Sequence, residues 1–308
     1  MPVTKPSQLH GHTVHPVGVD PAIELSSITR QTINTGTEVI RESSAGSIYP
    51  EIAYIVAQRP GVSFSTLNLA QILDVLDLRG LCITTDGGAH PGYRAYARRK
   101  SCAGPAGGSV HNRYTFGNGV LFINNISVDH QGNALTNVQF VSGYDGTNLP
   151  LVLQTNQAVP ATPINTFRWS MAKLVIGGVS FDGKRSIDLN FGNVVPSEGA
   201  DGDLYDTFVG NQSSSPTLTV RGVNPDWATS LLGGVGAHAN TSVYFRKRGF
   251  ADNLSEHVQI SMAGLYHTEQ VFDASGNDTG QTDLIINTVE DTFGNAPIFI
   301  DTTSPIPP

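Results

Sequence analysis

The chain has 308 residues, enough for about two domains on the usual prior of ~150 residues each. Only 14% of residues are charged and the net charge is −8, which argues against a protein that wraps nucleic acid through its phosphates. No stretch approaches the ~20 apolar residues of a membrane span, and the wealth of Gly, Pro, Ser, Thr and Asn beside Val and Ile favours short strands over long helices.

The opening MPVTKPSQLH shows no basic flank before an apolar run, so no secretory signal is expected. His10, His12 and His15 have a spacing that could hold a divalent metal, but no Cys or carboxylate completes the set. Residues 1–20 are therefore read as a flexible or docking arm.

From Ile23 the alternation through Ile28 and Ile33 predicts strands, followed by the loop RESSAGSIYP and the apolar run Ile52 to Val56. Leu69, Ile72, Leu73 and Leu76 then fall on one face of a short helix. Cys82 and Cys102 follow, with no counterparts in the second half, and are expected to be reduced. Tyr93 to Tyr96 is a strand leading into Arg98, Arg99 and Lys100, a basic cluster read as a solvated strand end or ion-pair partner. Tyr114 to Val128 and Val138 to Val141 complete the first half, joined by the turn DHQGNA.

The second half repeats this order. A shift of 156 places Gly36, Val39, Gly46 and Tyr49 on Gly192, Val195, Gly202 and Tyr205 without a gap. The same shift places Val62 and Phe64 on Leu218 and Val220, and Asn68 on Asn224. Asn224-Pro225 to Gly233-Gly234 predicts a second helix, with Trp227 packed inward. Arg246, Lys247 and Arg248 answer the first basic cluster, and His257 answers His111. Repeated histidines among bulky apolar residues are read as structural. Asp273, Ser275, Asn277 and Asp278 lack the glycine and glutamate of a calcium loop and read as a hairpin tip.

The expected fold is mainly β: two tandem β-sandwich or half-barrel units, each able to bury its own core and each flanked by one short helix. The boundaries read 21–154 for the first unit, 155–171 for a linker and 172–308 for the second. No nucleophile elbow, phosphate loop or metal motif is present, so no catalysis, metal or cofactor is expected.

The runs GSIYPEIAY, VSFSTLNLAQILDVL, ISVDHQGNALTNVQFV, DGTNLPL and PTLTVRGVNPDWATSLL together resemble the tail tube proteins of long-tailed bacteriophages. That resemblance implies a virion structural protein, assembled in the host cytoplasm, whose stacked rings form a conduit for viral genome ejection. The duplication is similar to that of fused members, which implies homotrimeric rings of pseudo-sixfold symmetry. The implied partners are other copies, other tail proteins and viral DNA passing without sequence-specific binding, with no membrane. The resemblance assigns ring stacking to two acidic loops, carrying Glu42, Ser47 and Tyr49 in one half and Glu198, Asp201, Asp203 and Tyr205 in the other. An acidic lumen would repel DNA phosphates. A decoration or tail-terminator protein has the same composition. A tandem carbohydrate-binding module would repeat exposed aromatics, yet Trp169 has no match and Trp227 aligns with Gln71.

Overall fold

A computed structural model describes residues 7–15, 23–75, 92–99, 111–160, 167–181, 183–200, 202–223, 238–273, 281–289 and 297–308. The predicted second helix with Trp227, both cysteines, Leu76, Lys100, Asp201 and the tip 275–278 lie outside them.

The protein is mainly β, built of antiparallel sheets with one helix among the described residues. In the first half the strands are β1 (Ser7–His15), β2 (Ile23–Leu25), β3 (Ile28–Asn34), β4 (Thr37–Glu42), β5 (Ile52–Gln58) and β6 (Gly61–Thr66). Helix α1 (Leu69–Val75) precedes β7 (Gly92–Arg99), β8 (His111–Phe116), β9 (Asn118–Asp129), β10 (Leu135–Gly143) and β11 (Val152–Gln157). The second half runs β12 (Trp169–Ile176), β13 (Val179–Phe181), β14 (Ser186–Asn190), β15 (Ser197–Glu198), β16 (Phe208–Val209) and β17 (Thr217–Val223). It ends with β18 (His238–Lys247), β19 (His257–Asp273), β20 (Gln281–Thr288) and β21 (Ile298–Ser304).

Part of the segment read as an arm is thus strand: β1 pairs with both β2 and β7. The loop 41–50 joins the paired strands β4 and β5, which take only Arg41 and Glu42 from it, and its counterpart takes in β15, which pairs with β16. Where sequence reading expected one strand from Tyr114, Gly117 separates β8 from β9. Strand β19 has no such break, because the second half is one residue shorter there: His111 answers His257 at a shift of 146, and Gly119 answers Gly264 at 145.

Every first-half pairing recurs in the second. The pairs β1·β2, β1·β7, β7·β8 and β8·β11 correspond to β12·β13, β12·β18, β18·β19 and β19·β21. The pairs β9·β10, β10·β6, β3·β6 and β4·β5 correspond to β19·β20, β17·β20, β14·β17 and β15·β16.

The glycines that announced the repeat have a physical reason. Gly36 and Gly192 both hold positive φ, at 53° and 57°, and the carbonyls of Arg59 and Ser215 crowd where a Cβ would stand. Gly46 and Gly202 hold φ near 91° and 90° in open turns. Left-handed backbone without strain is the property of glycine that these four positions need.

Two cores were expected, one per half; the main buried cluster instead spans both halves, with a smaller separate one of Val120, Phe122 and Val209. The cause is β14, which pairs with β9 and sets Ile187 and Leu189 beside Val128 and Ile126. In the first half Phe64 stacks on Tyr93 at 5.5 Å, and Phe140 lies 5.6 Å from Phe116. Helix α1 buries Leu69, Ile72 and Leu73, as its spacing predicted. Asn68 starts it, its amide donating to Ser26 Oγ and Gln71 Oε1, both 2.9 Å. Thr302 of β21 donates to Asp74 of α1 at 2.8 Å, a second tie between the halves.

Candidate functional site

Among the described residues the β14·β9 pairing is the one ladder between named strands that joins the halves, beside the single bridge Gln58↔Tyr205. It runs Ser186↔Asp129, Ile187↔Val128, Asp188↔Ser127, Leu189↔Ile126 and Asn190↔Asn125. Its two participants have counterparts, and among the described residues these counterparts remain open. Strand β3, the counterpart of β14, pairs among the described residues on one side only, with β6. The far part of β19, the counterpart of the paired part of β9, has β20 on one side and no strand opposite Gln270 to Asp273 among the described residues. Ile33, which answers the buried Leu189, is only half-buried for that reason.

The face of the long sheet turned from the core carries a polar row across four strands. Ser65 donates to Asn137 at 2.6 Å, Asn137 to Asn125 at 2.8 Å, and Asn125 to Asp188 at 2.9 Å. The row crosses the junction between halves. Charges on this face are mixed, with Arg30 and Arg221 beside Asp129, Asp188 and Asp283.

The two hairpins expected to be equivalent are placed differently. The β15–β16 hairpin lies on the first half: Val209, with Val195 against it, packs on Val120, Phe122 and Val141. Gln58 N donates to Leu204 O at 2.7 Å, and Tyr205 lies 5.6 Å from the ring of Tyr144. Arg59 Nε donates to the nearly buried Asp206 at 2.8 Å, and that carboxylate raises the guanidinium pKa. Asp203 accepts from Ala200 N at 3.2 Å and only shapes the turn, while Glu198 sits on β15 opposite Phe208.

Among the described residues the β4–β5 hairpin has no such seat. Ile48 is 89% and Tyr49 77% exposed, and Val39, Ile52, Tyr54 and Ile55 are exposed too. Ser47 Oγ donates to Tyr49 O at 2.8 Å, and Tyr54 OH donates to Glu42 at 3.2 Å. That carboxylate raises the Tyr54 pKa.

Sequence reading missed Arg59, Asp206, Val120 and Phe122. Only Val195, matched to Val39 by the repeat, carried a signal. The Arg59–Asp206 pair gives a direct expectation. Arg59→Ala leaves a buried carboxylate without its donor and should cost about 1–3 kcal/mol, more than Asp206→Asn, as read by urea unfolding. Equal losses would mean that burial of Asp206 is not the governing factor.

A cleft of about 400 Å³ lies beside this seat, lined in part by Asn118, Tyr144, Asp145 and Thr207. The Asp145 carboxylate accepts from Asn148 and Thr147, which lowers its pKa to about 2. Its acceptors serve the local turn.

The histidines and the second basic cluster are placed as follows. His257 is fully buried, its Nδ1 accepting from Lys247 N at 3.1 Å, so the proton sits on Nε2 and donates to Ala251 O at 2.9 Å. Arg246 pairs with Asp252 and Lys247 with Glu256, each at 2.6 Å, while Arg248 donates to Gln131 O and Gly132 O. His10, His12 and His15 lie on β1. Among the described residues no group of His, Cys, Asp and Glu could hold a metal ion. No helix there is long and apolar enough to cross a membrane.

Compared with known proteins, the chain matches no family model and no curated sequence.

Proposed function

We propose that this chain is a structural, non-catalytic ring-forming protein of the tail-tube kind, made of two tandem β-sandwich units, each with its flanking helix. The observation that carries the reading is the junction β14·β9, together with its two open counterparts on the same chain. An edge strand presents unpaired N–H and C=O groups that template another strand. Here the chain contains its own solution to pairing them. Copying the junction between molecules sets Asn34 of one copy opposite Gln270 of the next, as Asn190 stands opposite Asn125. A head-to-tail contact of this type closes into a ring when its rotation divides the circle.

Each chain contributes eight strands to the closed wall: β3, β6, β10, β9, β14, β17, β20 and the far part of β19. Three copies at ~4.8 Å per strand and a tilt of up to ~45° give a backbone diameter of about 37–52 Å. Two copies give about 24–35 Å, which side chains on both walls would narrow below the width of a DNA duplex. A trimer with six similar lobes, stacked into a tube for genome ejection, is therefore the assembly proposed, in the virion tail with other tail proteins. Glu42 and Glu198 occupy matching positions on hairpin faces that remain free to meet the next ring.

The test is the double variant Asn34→Cys/Gln270→Cys under mild oxidation, with end-on electron microscopy of the product. Covalent trimers seen as threefold rings are expected. Failure to cross-link while either single variant assembles normally would overturn the edge pairing.

A further inference from the structure

The β4–β5 ribbon is apolar on both sides. Its register sets Val39, Arg41, Ala53 and Ile55 on one face and Ile40, Glu42, Ile52 and Tyr54 on the other. A two-stranded ribbon cannot bury either face by itself, and apolar patches of this kind mark contact surfaces. The second half shows how one face is used. Ser197↔Val209 and Glu198↔Phe208 are Arg41↔Ala53 and Glu42↔Ile52 shifted by 156. Val209 is buried against the first-half sheet, whereas Phe208 on the other side is 58% exposed.

We infer that the β4–β5 hairpin docks through Val39, Ala53 and Ile55 on the second-half sheet of the next copy, a lateral clasp that rests on the ring reading above. The seat follows from register. The residues that receive Val209 and Val195 are Val120, Phe122, Val141 and Gly143, and their counterparts are Leu265, His267, Asn287 and Val289. Val289 is 38% exposed in the single chain. The bond from Gln58 N to Leu204 O has its counterpart in Ser214 N and Ile48 O, which accounts for a loop tip left bare with Ile48 and Tyr49. The Arg59–Asp206 ion pair has no counterpart, since Ser215 and Pro50 hold those positions. The clasp between copies sets Val39, Ala53 and Ile55 on a mixed seat and adds a backbone bond, without the ion pair of the junction within the chain.

Val209 lies against Gly143, so Ala53 and Val289 should meet across copies. Ala53→Cys/Val289→Cys is expected to cross-link between chains at least tenfold more than either single variant. The edge pair Asn34→Cys/Gln270→Cys is run beside it. Edge cross-links without hairpin cross-links would overturn the clasp and leave the ring standing. Loss of both would overturn the ring reading and the clasp with it. Hairpin cross-links without edge cross-links would place the contact outside a ring and overturn the proposal as stated. Surface variants give an independent reading: Ile55→Lys should lower the yield of single rings at least tenfold, whereas Tyr54→Lys, on the other face, should not. Equal effects would count against a one-faced clasp.

Discussion

Phe140→Ala should lower the unfolding free energy by about 3–5 kcal/mol, the range for emptying a fully buried phenylalanine site. Phe140 is 0% exposed and its ring sits 5.6 Å from Phe116 and 6.0 Å from Tyr93. Its counterpart Ile286 is equally buried, and the smaller truncation Ile286→Val should cost only about 0.5–1.5 kcal/mol. A domain holds about 5–15 kcal/mol in all, so the first change is a large fraction of the total. Both tryptophans, Trp169 and Trp227, lie in the second half. Because the main core is one cluster across the halves, their fluorescence should report the first-half substitution at the same denaturant midpoint as circular dichroism. A tryptophan transition unmoved by Phe140→Ala would mean that the halves unfold separately.

Ile33→Asp should abolish ring formation while leaving the chain folded. On the open edge Ile33 is half-buried, so the free chain loses about 1–2 kcal/mol of apolar contact and keeps its carboxylate in water. In the proposed ring that position becomes the counterpart of Leu189, which is 1% exposed. A carboxylate there would be buried without a partner, at several kcal/mol per junction, or more than a thousandfold in association. Leu189→Asp carries the same penalty inside the chain and should unfold it. Sedimentation beside far-ultraviolet circular dichroism separates the two. Rings persisting with Ile33→Asp would remove β3 from the interface.

The repeat was legible because its glycines serve backbone geometry that tolerates no substitute: Gly36 and Gly192 sit under the carbonyls of Arg59 and Ser215. The α1 stripe was legible for the ordinary reason that Leu69, Ile72 and Leu73 share a helical face. Strand β1 was hidden because it answers β12 at a shift of 162, off the constant offset, and because SQLHGHTVH shows little apolar alternation. The unequal hairpins were hidden for a different reason. Arg59 and Asp206 are 147 residues apart, and a pairing at that separation leaves no local pattern. The joining of two expected cores into one follows from β14 meeting β9, a choice of partner strand that periodicity does not encode.

The covalent link between the two halves also governs how the proposed ring would come together. A ring of six separate units would make six joins, five of them bimolecular encounters that each lose roughly 4–15 kcal/mol of translational and rotational freedom. With β14 already tethered to β9, half of those joins form at the millimolar effective concentration typical of short linkers, independent of protein dilution. Nucleation should therefore depend on the third power of chain concentration and not the sixth, so tubes could start from a far smaller pool of free subunit.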